Sequence, residues 1–181
     1  NLFTLSSLFC GLYATILAAA GQAADDYYRA ALVITFAIFF DAFDGRVARL
    51  TKTQSAFGVE IDSLSDVVSF GVAPATLIYR WSLAEVGTVG LLVSFAFVAC
   101  GAIRLARFNL IAHREAAAGA KPGKYIIGLP IPGAAGVLVS LVVANHVAGG
   151  NLRGATVLLA IVTIGLSLLM VSRVRFRSFK D

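Results

Sequence analysis

The chain has 181 residues, of which 59% are hydrophobic and 14% are charged, and its formal net charge is +5. A soluble globular domain carries roughly 25% charged residues, so this composition excludes an ordinary soluble fold. Apolar runs recur along the chain, and a helix needs about 20 residues to cross a bilayer. The sequence therefore predicts an all-α, polytopic membrane protein with one domain over residues 1–181. Because the chain begins with Asn1 rather than methionine, we expect it to be a segment of a longer protein.

Six apolar segments predict six transmembrane helices. In chain order their bounds are about 2–20, 28–48, 62–79, 84–106, 130–148 and 153–172. Pro130 and Pro132 stand where the fifth segment begins, and a missing backbone N–H costs little in the first turn of a helix.

The basic residues predict how these helices are oriented. Of the Lys and Arg residues, twelve fall on one side of the predicted membrane and three on the other. The twelve are Arg46, Arg49, Lys52, Arg104, Arg107, Arg114, Lys121, Lys124, Arg173, Arg175, Arg177 and Lys180; the three are Arg29, Arg80 and Arg153. Because cytoplasmic loops carry the excess of Lys and Arg, we expect a multi-pass protein of the cytoplasmic membrane with both termini in the cytoplasm.

Four aspartates stand at the cytoplasmic ends of the second and third segments, in "FFDAFDGRVARL" and "GVEIDSLSDVV". Asp41 and Asp44 are three residues apart, and Asp62 and Asp66 are four apart. Residues at these spacings share one face of a helix. A short connection makes the two helices antiparallel neighbours, so the sequence predicts that both acidic faces meet in one cluster.

Such a cluster needs compensating positive charge. A charged group at membrane depth costs several kcal/mol unless it finds a partner, and neighbouring carboxylates repel one another. Carboxylate oxygens are hard ligands that suit Mg²⁺, Mn²⁺ or Ca²⁺, and two-metal sites recur in phosphoryl chemistry. Two divalent cations would neutralise four carboxylates, and we take Mg²⁺ or Mn²⁺ as the candidates.

Small and basic residues accompany the first acidic pair. Gly45 and Ala48 would leave a groove beside the carboxylates, and Arg49 offers a fork of donors that matches a phosphate. Together they favour a nucleotide diphosphate or a similar anionic head group as ligand. The alternative is that the small residues only allow close helix packing, as they commonly do in membranes.

Written out, the pattern is D-x-x-D-G-x-x-A-R from Asp41 to Arg49, eight further residues, and G-x-x-x-D-x-x-x-D from Gly58 to Asp66. This pattern resembles the signature of the CDP-alcohol phosphotransferases. The resemblance implies a six-helix membrane enzyme, usually a homodimer, that moves a phosphatidyl or similar group from a CDP-linked donor to an alcohol and releases CMP. It also implies the bilayer as a partner, and we expect no nucleic acid.

Four further stretches resemble the branch of this family that uses L-serine as the acceptor and CDP-diacylglycerol as the donor. They are "NLFTLSSLFCG", "FGVEIDSLSDVVSFGVAPA", "CGAIRLARFN" and "GLPIPGAAG", and the similarity runs from residue 1 to about residue 140. Ser65 is a departure, since this branch often has alanine there.

The resemblance also assigns roles to residues. Asp41, Asp44 and Asp62 would hold metal, and Asp66 would hold the second metal and accept the proton of the attacking alcohol. CDP-diacylglycerol would contact Asn1, Thr4, Gly45, Arg49 and Ser55. From the residues alone, Asn1 and Thr4 are better explained as residues that begin a helix.

Three polar residues end the fourth segment beside the predicted cluster: Arg104, Arg107 and Asn109. An arginine there could bind the serine carboxylate through two parallel hydrogen bonds, or it could anchor the helix at the cytoplasmic surface. We predict that at least one of these residues contacts serine.

Three other functions deserve comparison. A phosphorylated acceptor, glycerol phosphate or inositol phosphate, would call for a denser basic pocket. A cation transporter would place carboxylates near the membrane midplane, often on broken helices. A purely structural membrane protein would leave four costly carboxylates unexplained.

Overall fold

The computed structural model describes residues 2–51, 56–117, 125–150 and 152–177, without the side chains at 44–45, 47–51, 56, 116, 125–127, 153 and 175–177. The α-helices are α1 (Leu2–Ala20), α2 (Ala24–Thr51), α3 (Ala56–Asp66), α4 (Ala73–Trp81), α5 (Gly87–Ala117), α6 (Ile131–Val147) and α7 (Thr156–Val171). A π-helical segment (Val67–Val72) joins α3 to α4, and 3₁₀ turns lie at Leu83–Val86 and Leu152–Gly154. Two short strands are β1 (Tyr125–Ile127) and β2 (Arg175–Arg177).

The helical architecture confirms the predicted all-α membrane fold. Every predicted apolar segment overlaps a helix of the structure. In the described part of the chain, three stretches are long and apolar enough to cross a membrane, namely Leu2–Ala20, Phe57–Trp81 and Leu83–Glu115, and two apolar helices are shorter. The count of six crossings stays a prediction.

Some helices extend beyond the predicted apolar segments. α5 continues to Ala117, whereas hydropathy ends the fourth segment at about residue 106. The reason is that hydropathy reports where the lipid ends, and a helix can continue into water where neighbours hold it. Here Asn109 and His113 both bond to side chains of α3.

α1 and α2 form a closely packed antiparallel pair. Both helices carry small buried residues, among them Ala14 and Ala18 in α1 and Ala30 and Ala37 in α2. Small residues let membrane helices approach closely, because backbone atoms can then meet across the interface.

The turn between these helices is closed by Asp26 in the first turn of α2. Its carboxylate accepts hydrogen bonds from the backbone N–H groups of Ala23 and Gln22, each at 3.1 Å. A carboxylate at this position satisfies donors that the helix itself leaves unpaired. The bonds from Ala23 and then Gln22 hold the pKa of Asp26 below its ordinary value.

The third predicted segment is one continuous helix with a wider turn in its middle. Ala73 donates its backbone N–H to the carbonyl of Val68, five residues back. Pro74 follows and has no N–H to donate to the carbonyl of Phe70, four residues earlier. The π-helical segment therefore accommodates a proline that a regular α-helix would accept poorly.

We call the continuous helix of α3, the π-helical segment and α4 the composite helix, and α5 and α6 both pack against it. α5 packs on α7, and α6 packs on α2. Pro130 precedes α6 and Pro132 stands in its first turn, as predicted. The β1–β2 ribbon was not predicted: Tyr125–Ile127 pairs antiparallel with Arg175–Arg177. Gly128 follows β1 with a φ of +78°, and its N–H donates to the carbonyl of Val174 at 2.9 Å.

Candidate metal centre and substrate site

Three aspartates from two helices meet at one end of the bundle. Asp41 comes from α2, and Asp62 and Asp66 come from α3. One carboxylate oxygen of each lies within 4.8 Å of the others, and all three residues are partly buried. The predicted convergence of the two acidic faces is therefore present for these three residues.

The donor set fits a hard divalent cation. Oxygens that share one Mg²⁺ or Ca²⁺ bind it at about 2.0 to 2.6 Å, so two of them lie at most about 4 to 5 Å apart. The three carboxylates meet that condition and supply oxygen ligands only. A positive ion would also relieve repulsion, since the carboxylate of Asp66 lies near enough to Asp41 and Asp62 to interact with both.

For five predicted site residues the structure describes no side chain. Asp44, Gly45 and Arg49 belong to the helical backbone of α2, and their side chains lie outside the described residues. Asn1 and Ser55 lie outside the described residues altogether. Helical spacing puts Asp44 on the same face as Asp41, and the roles of all five stay predictions.

Thr4 lies at the level of the aspartates. It is buried, and its backbone carbonyl accepts a hydrogen bond from Ser65 at 3.2 Å. Ser65 directly precedes Asp66 in α3, so the first turn of α1 packs beside the metal-binding face. The predicted contact between Thr4 and the nucleotide is compatible with this position and stays a prediction.

Arg104 is a buried cation beside the cluster. Its residue surface is 9% exposed, and its Nε atom has no hydrogen-bond partner among the described residues. The guanidinium lies near enough to attract the carboxylate of Asp66 and sits 5.9 Å from the ring centre of Phe108. A buried guanidinium with a free donor is well suited to an anionic ligand.

Arg107 and Asn109 have other partners. Arg107 is exposed and donates to the carbonyl of Val171 at 3.1 Å, at the end of α7. Asn109 donates to Oγ of Ser63 at 2.9 Å, on α3. The three predicted serine-binding residues therefore divide, and only Arg104 carries a buried unpaired donor beside Asp66.

Sequence reasoning missed the polar contacts that fix α5 against α3. Besides Asn109 and Ser63, His113 Nε2 lies 3.3 Å from Glu60 Oε1. Ser63 adjoins Asp62 in sequence and could have been noticed for that reason. Its partner could not, because 46 residues separate Ser63 from Asn109 and no spacing rule connects them.

Comparison with known proteins agrees with this geometry. The family model described as CDP-alcohol phosphatidyltransferase matches residues 1–171. A CDP-diacylglycerol–serine O-phosphatidyltransferase of Helicobacter pylori is 40% identical over 99% of this chain and 72% of its own length. The enzyme of that name from Bacillus subtilis is 35% identical over 99% of this chain and 89% of its own. An archaetidylserine synthase of Methanothermobacter thermautotrophicus is 37% identical over 81% of this chain and 57% of its own length. The chain belongs to the CDP-alcohol phosphatidyltransferase family.

Proposed function

We propose that this protein transfers the phosphatidyl group of CDP-diacylglycerol to L-serine, giving phosphatidylserine and CMP in a metal-dependent reaction. The observation that carries the proposal is the convergence of Asp41, Asp62 and Asp66 in a chain matched to this family over residues 1–171. The names of the relatives from Helicobacter pylori and Bacillus subtilis support serine as the acceptor.

The metal site proposed here holds two divalent cations, Mg²⁺ or Mn²⁺, through Asp41, Asp44, Asp62 and Asp66. Bound there, such ions would clamp a diphosphate and would stabilise the negative charge on the leaving group. The chain's own part is to present carboxylates from two helices at a fixed separation. Asp41 and Asp44 supply one side and Asp62 and Asp66 the other.

Asp66 is the proposed general base. The serine hydroxyl oxygen forms a bond to the lipid-linked phosphorus, the bond between that phosphorus and the bridging oxygen breaks, and CMP leaves with the bonding electrons. The hydroxyl proton passes to a carboxylate oxygen of Asp66. A base must take this proton, because a serine hydroxyl is a weak nucleophile. Asp66 must then be a loose or shared metal ligand, since tight coordination makes a carboxylate less basic.

Arg104 is the proposed receptor for the serine carboxylate. Its unpaired Nε and its proximity to Asp66 would hold the carboxylate of serine while the hydroxyl faces the base. A guanidinium can bind a carboxylate through two parallel hydrogen bonds. Asn1, Thr4, Gly45, Arg49 and Ser55 form the proposed contact region for the CDP portion.

The proposed setting is the cytoplasmic membrane, with the aspartates facing the cytoplasm and a homodimer as the assembly. The distribution of Lys and Arg supports the orientation. The opposite end of the bundle carries a different set of contacts. There His146 lies 3.8 Å from Asp25, and Arg80 donates to the carbonyl of Gly21 at 3.3 Å.

The deciding experiment measures CMP release by the purified protein. It receives CDP-diacylglycerol, Mg²⁺ or Mn²⁺, and serine, glycerol phosphate or inositol phosphate in separate reactions. We expect release with serine, its loss on chelation by EDTA, and its return when the cation is restored. Release with a phosphorylated acceptor alone would contradict serine, and release in the presence of excess EDTA would contradict metal dependence.

A further inference from the structure

Three serine hydroxyls join α1 to the two helices that carry the aspartates. Ser65 in α3 and Ser69 in the π-helical segment donate hydrogen bonds to two backbone carbonyls of α1. These are the carbonyls of Thr4 and Ser7, at 3.2 and 3.0 Å. Ser7 in turn donates its own hydroxyl to the carbonyl of Ala37 in α2 at 3.2 Å. Ser7 of α1 is thus hydrogen-bonded both to α2, which carries Asp41, and to the helix that carries Asp62 and Asp66.

These bonds lie close to the aspartates along each helix. Ala37 precedes Asp41 by four residues, and Ser69 follows Asp66 by three. Because an α-helix rises about 1.5 Å per residue, Ala37 and Ser69 each lie about 4 to 6 Å along the helix axis from the backbone of a clustered aspartate. Ser65 adjoins Asp66 directly. A change in the separation of the helices at these bonds would therefore be felt at the carboxylates.

The interface leaves α1 little freedom to move toward the composite helix. The exposed fraction is 2% for Ser7 and 0% for Ser69. A β-carbon on Gly11 would lie 2.6 Å from the α-carbon of Ser69, so the two backbones touch. Protein interiors of this kind transmit displacement instead of absorbing it.

We propose that Ser7 and Ser69 are positioning residues for the metal centre, with α1 acting as the spacer that fixes the distance between Asp41 and the pair Asp62 and Asp66. The inference rests on the proposed metal site. Mg²⁺ demands nearly ideal geometry at about 2.0 to 2.1 Å, and a functional site must be held to within about 0.5 Å. Hydroxyl bonds on both sides of α1 supply that control one turn from the ligands.

The test compares Mn²⁺ binding by folded variants without lipid substrate. Ser7→Ala and Ser69→Ala each remove one hydroxyl and add no bulk. Electron paramagnetic resonance of free Mn²⁺ gives the dissociation constant, and thermal unfolding gives the stability of the same samples. We expect Mn²⁺ binding to weaken about tenfold in each, the lower end of what residues supporting metal ligands contribute.

Two control variants separate this role from the general loss of a hydroxyl. Ser6 lies on α1 beside Ser7, but its hydroxyl bonds to the carbonyl of Leu2 in its own helix at 3.0 Å. Ser140 in α6 bonds likewise to Val137 at 2.7 Å. Ser6→Ala and Ser140→Ala should therefore bind Mn²⁺ like the wild type.

The double variant adds a further check. Ser7 and Ser69 act in series, from α2 through α1 to the composite helix. Losing either link loosens the spacing even though Ser65 still bonds to Thr4, so the double variant should bind Mn²⁺ about as weakly as the weaker single variant.

Each remaining outcome is decisive. If the folded Ser7→Ala and Ser69→Ala proteins bound Mn²⁺ with wild-type affinity, the positioning role would be overturned. The proposed metal site would still stand. Loss of the folded state in both variants would overturn the positioning role too, because the bonds would then stabilise the bundle as a whole. If the wild-type protein bound no Mn²⁺, the proposed metal site would fall, and this inference with it.

Discussion

Asn109 donates a hydrogen bond to Oγ of Ser63 at 2.9 Å, and this contact ties α5 to the residue next to Asp62. The bond gives Asn109 a structural partner, so Asn109→Ala and Ser63→Ala should have similar effects on the kcat/KM for serine. In a double-mutant cycle of unfolding free energies we expect a coupling energy of about 0.6 to 1.7 kcal/mol. These are about the mean and the maximum for hydrogen bonds between membrane helices.

A direct contact between Asn109 and serine would give a different result. Asn109→Ala would then raise the KM for serine while Ser63→Ala left it unchanged, and the two effects would be additive. Glu60→Gln, on the same helix as Ser63, serves as the matched control, because its side chain is exposed and a glutamine there can still hydrogen-bond to His113.

Arg104→Ala should raise the KM for serine with little change in the KM for CDP-diacylglycerol. A hydrogen bond to a charged group contributes about 1.5 to 3 kcal/mol, so the expected rise is about 10- to 100-fold. Steady-state kinetics with each substrate varied in turn measures both constants. Arg107→Ala is the control, since Arg107 is exposed and bonded to the end of α7. Equal serine KM values for Arg104→Ala and the wild type would contradict the assignment.

Asp66→Asn should bind CDP-diacylglycerol and lose turnover. The amide cannot accept the serine proton, and a positioned base contributes about 100-fold or more to the rate. Binding of the lipid substrate by the purified variant and its single-turnover CMP release separate the two effects. Near-normal release by Asp66→Asn would show that another group takes the proton.

The stability of the α1–α2 turn should depend on pH through Asp26. Its pKa is lowered in the folded protein by the backbone N–H groups of Ala23 and Gln22. The folded protein therefore holds its proton less tightly than the unfolded chain, so the stabilisation is complete above the ordinary aspartate pKa of about 4. It is lost as the pH falls through the lowered value.

The melting temperature in detergent, measured as a function of pH, reports this contribution. The pH should run from roughly one unit below the ordinary aspartate pKa to roughly three units above it. In Asp26→Asn, the melting temperature should fall less steeply at the acid end of this pH range than it does in the wild type. An identical pH profile for wild type and Asp26→Asn would contradict this reading of the turn.

The sequence was informative about the helices and the acidic faces for definite reasons. Apolar runs near 20 residues locate helices, because lipid requires internally satisfied backbone. The spacings from Asp41 to Asp44 and from Asp62 to Asp66 locate faces, because side chains three or four residues apart lie together. The short connection between α2 and α3 made their proximity predictable.

Contacts between distant parts of the chain were beyond such rules. The place of α1 between the acidic helices depends on Gly11 meeting Ser69, and no local pattern pairs those positions. Nor could spacing separate Arg104 from Arg107, since both lie at the end of the same apolar segment. Their different roles come from which neighbour each faces, Asp66 for one and the end of α7 for the other.

The π-helical segment between α3 and α4 has a consequence for the chain's tolerance of deletions. Each residue of an α-helix advances about 100° around the axis. One extra residue therefore rotates the side chains of one half of the helix by about that angle relative to the other half. With α4 held by its buried side chains, deleting one residue within 67–72 would turn Asp62 and Asp66 about 100° away from Asp41. The wide turn thus sets the angle between the two halves of one continuous helix, so that α4 faces a packed core while α3 presents Asp62 and Asp66 toward Asp41.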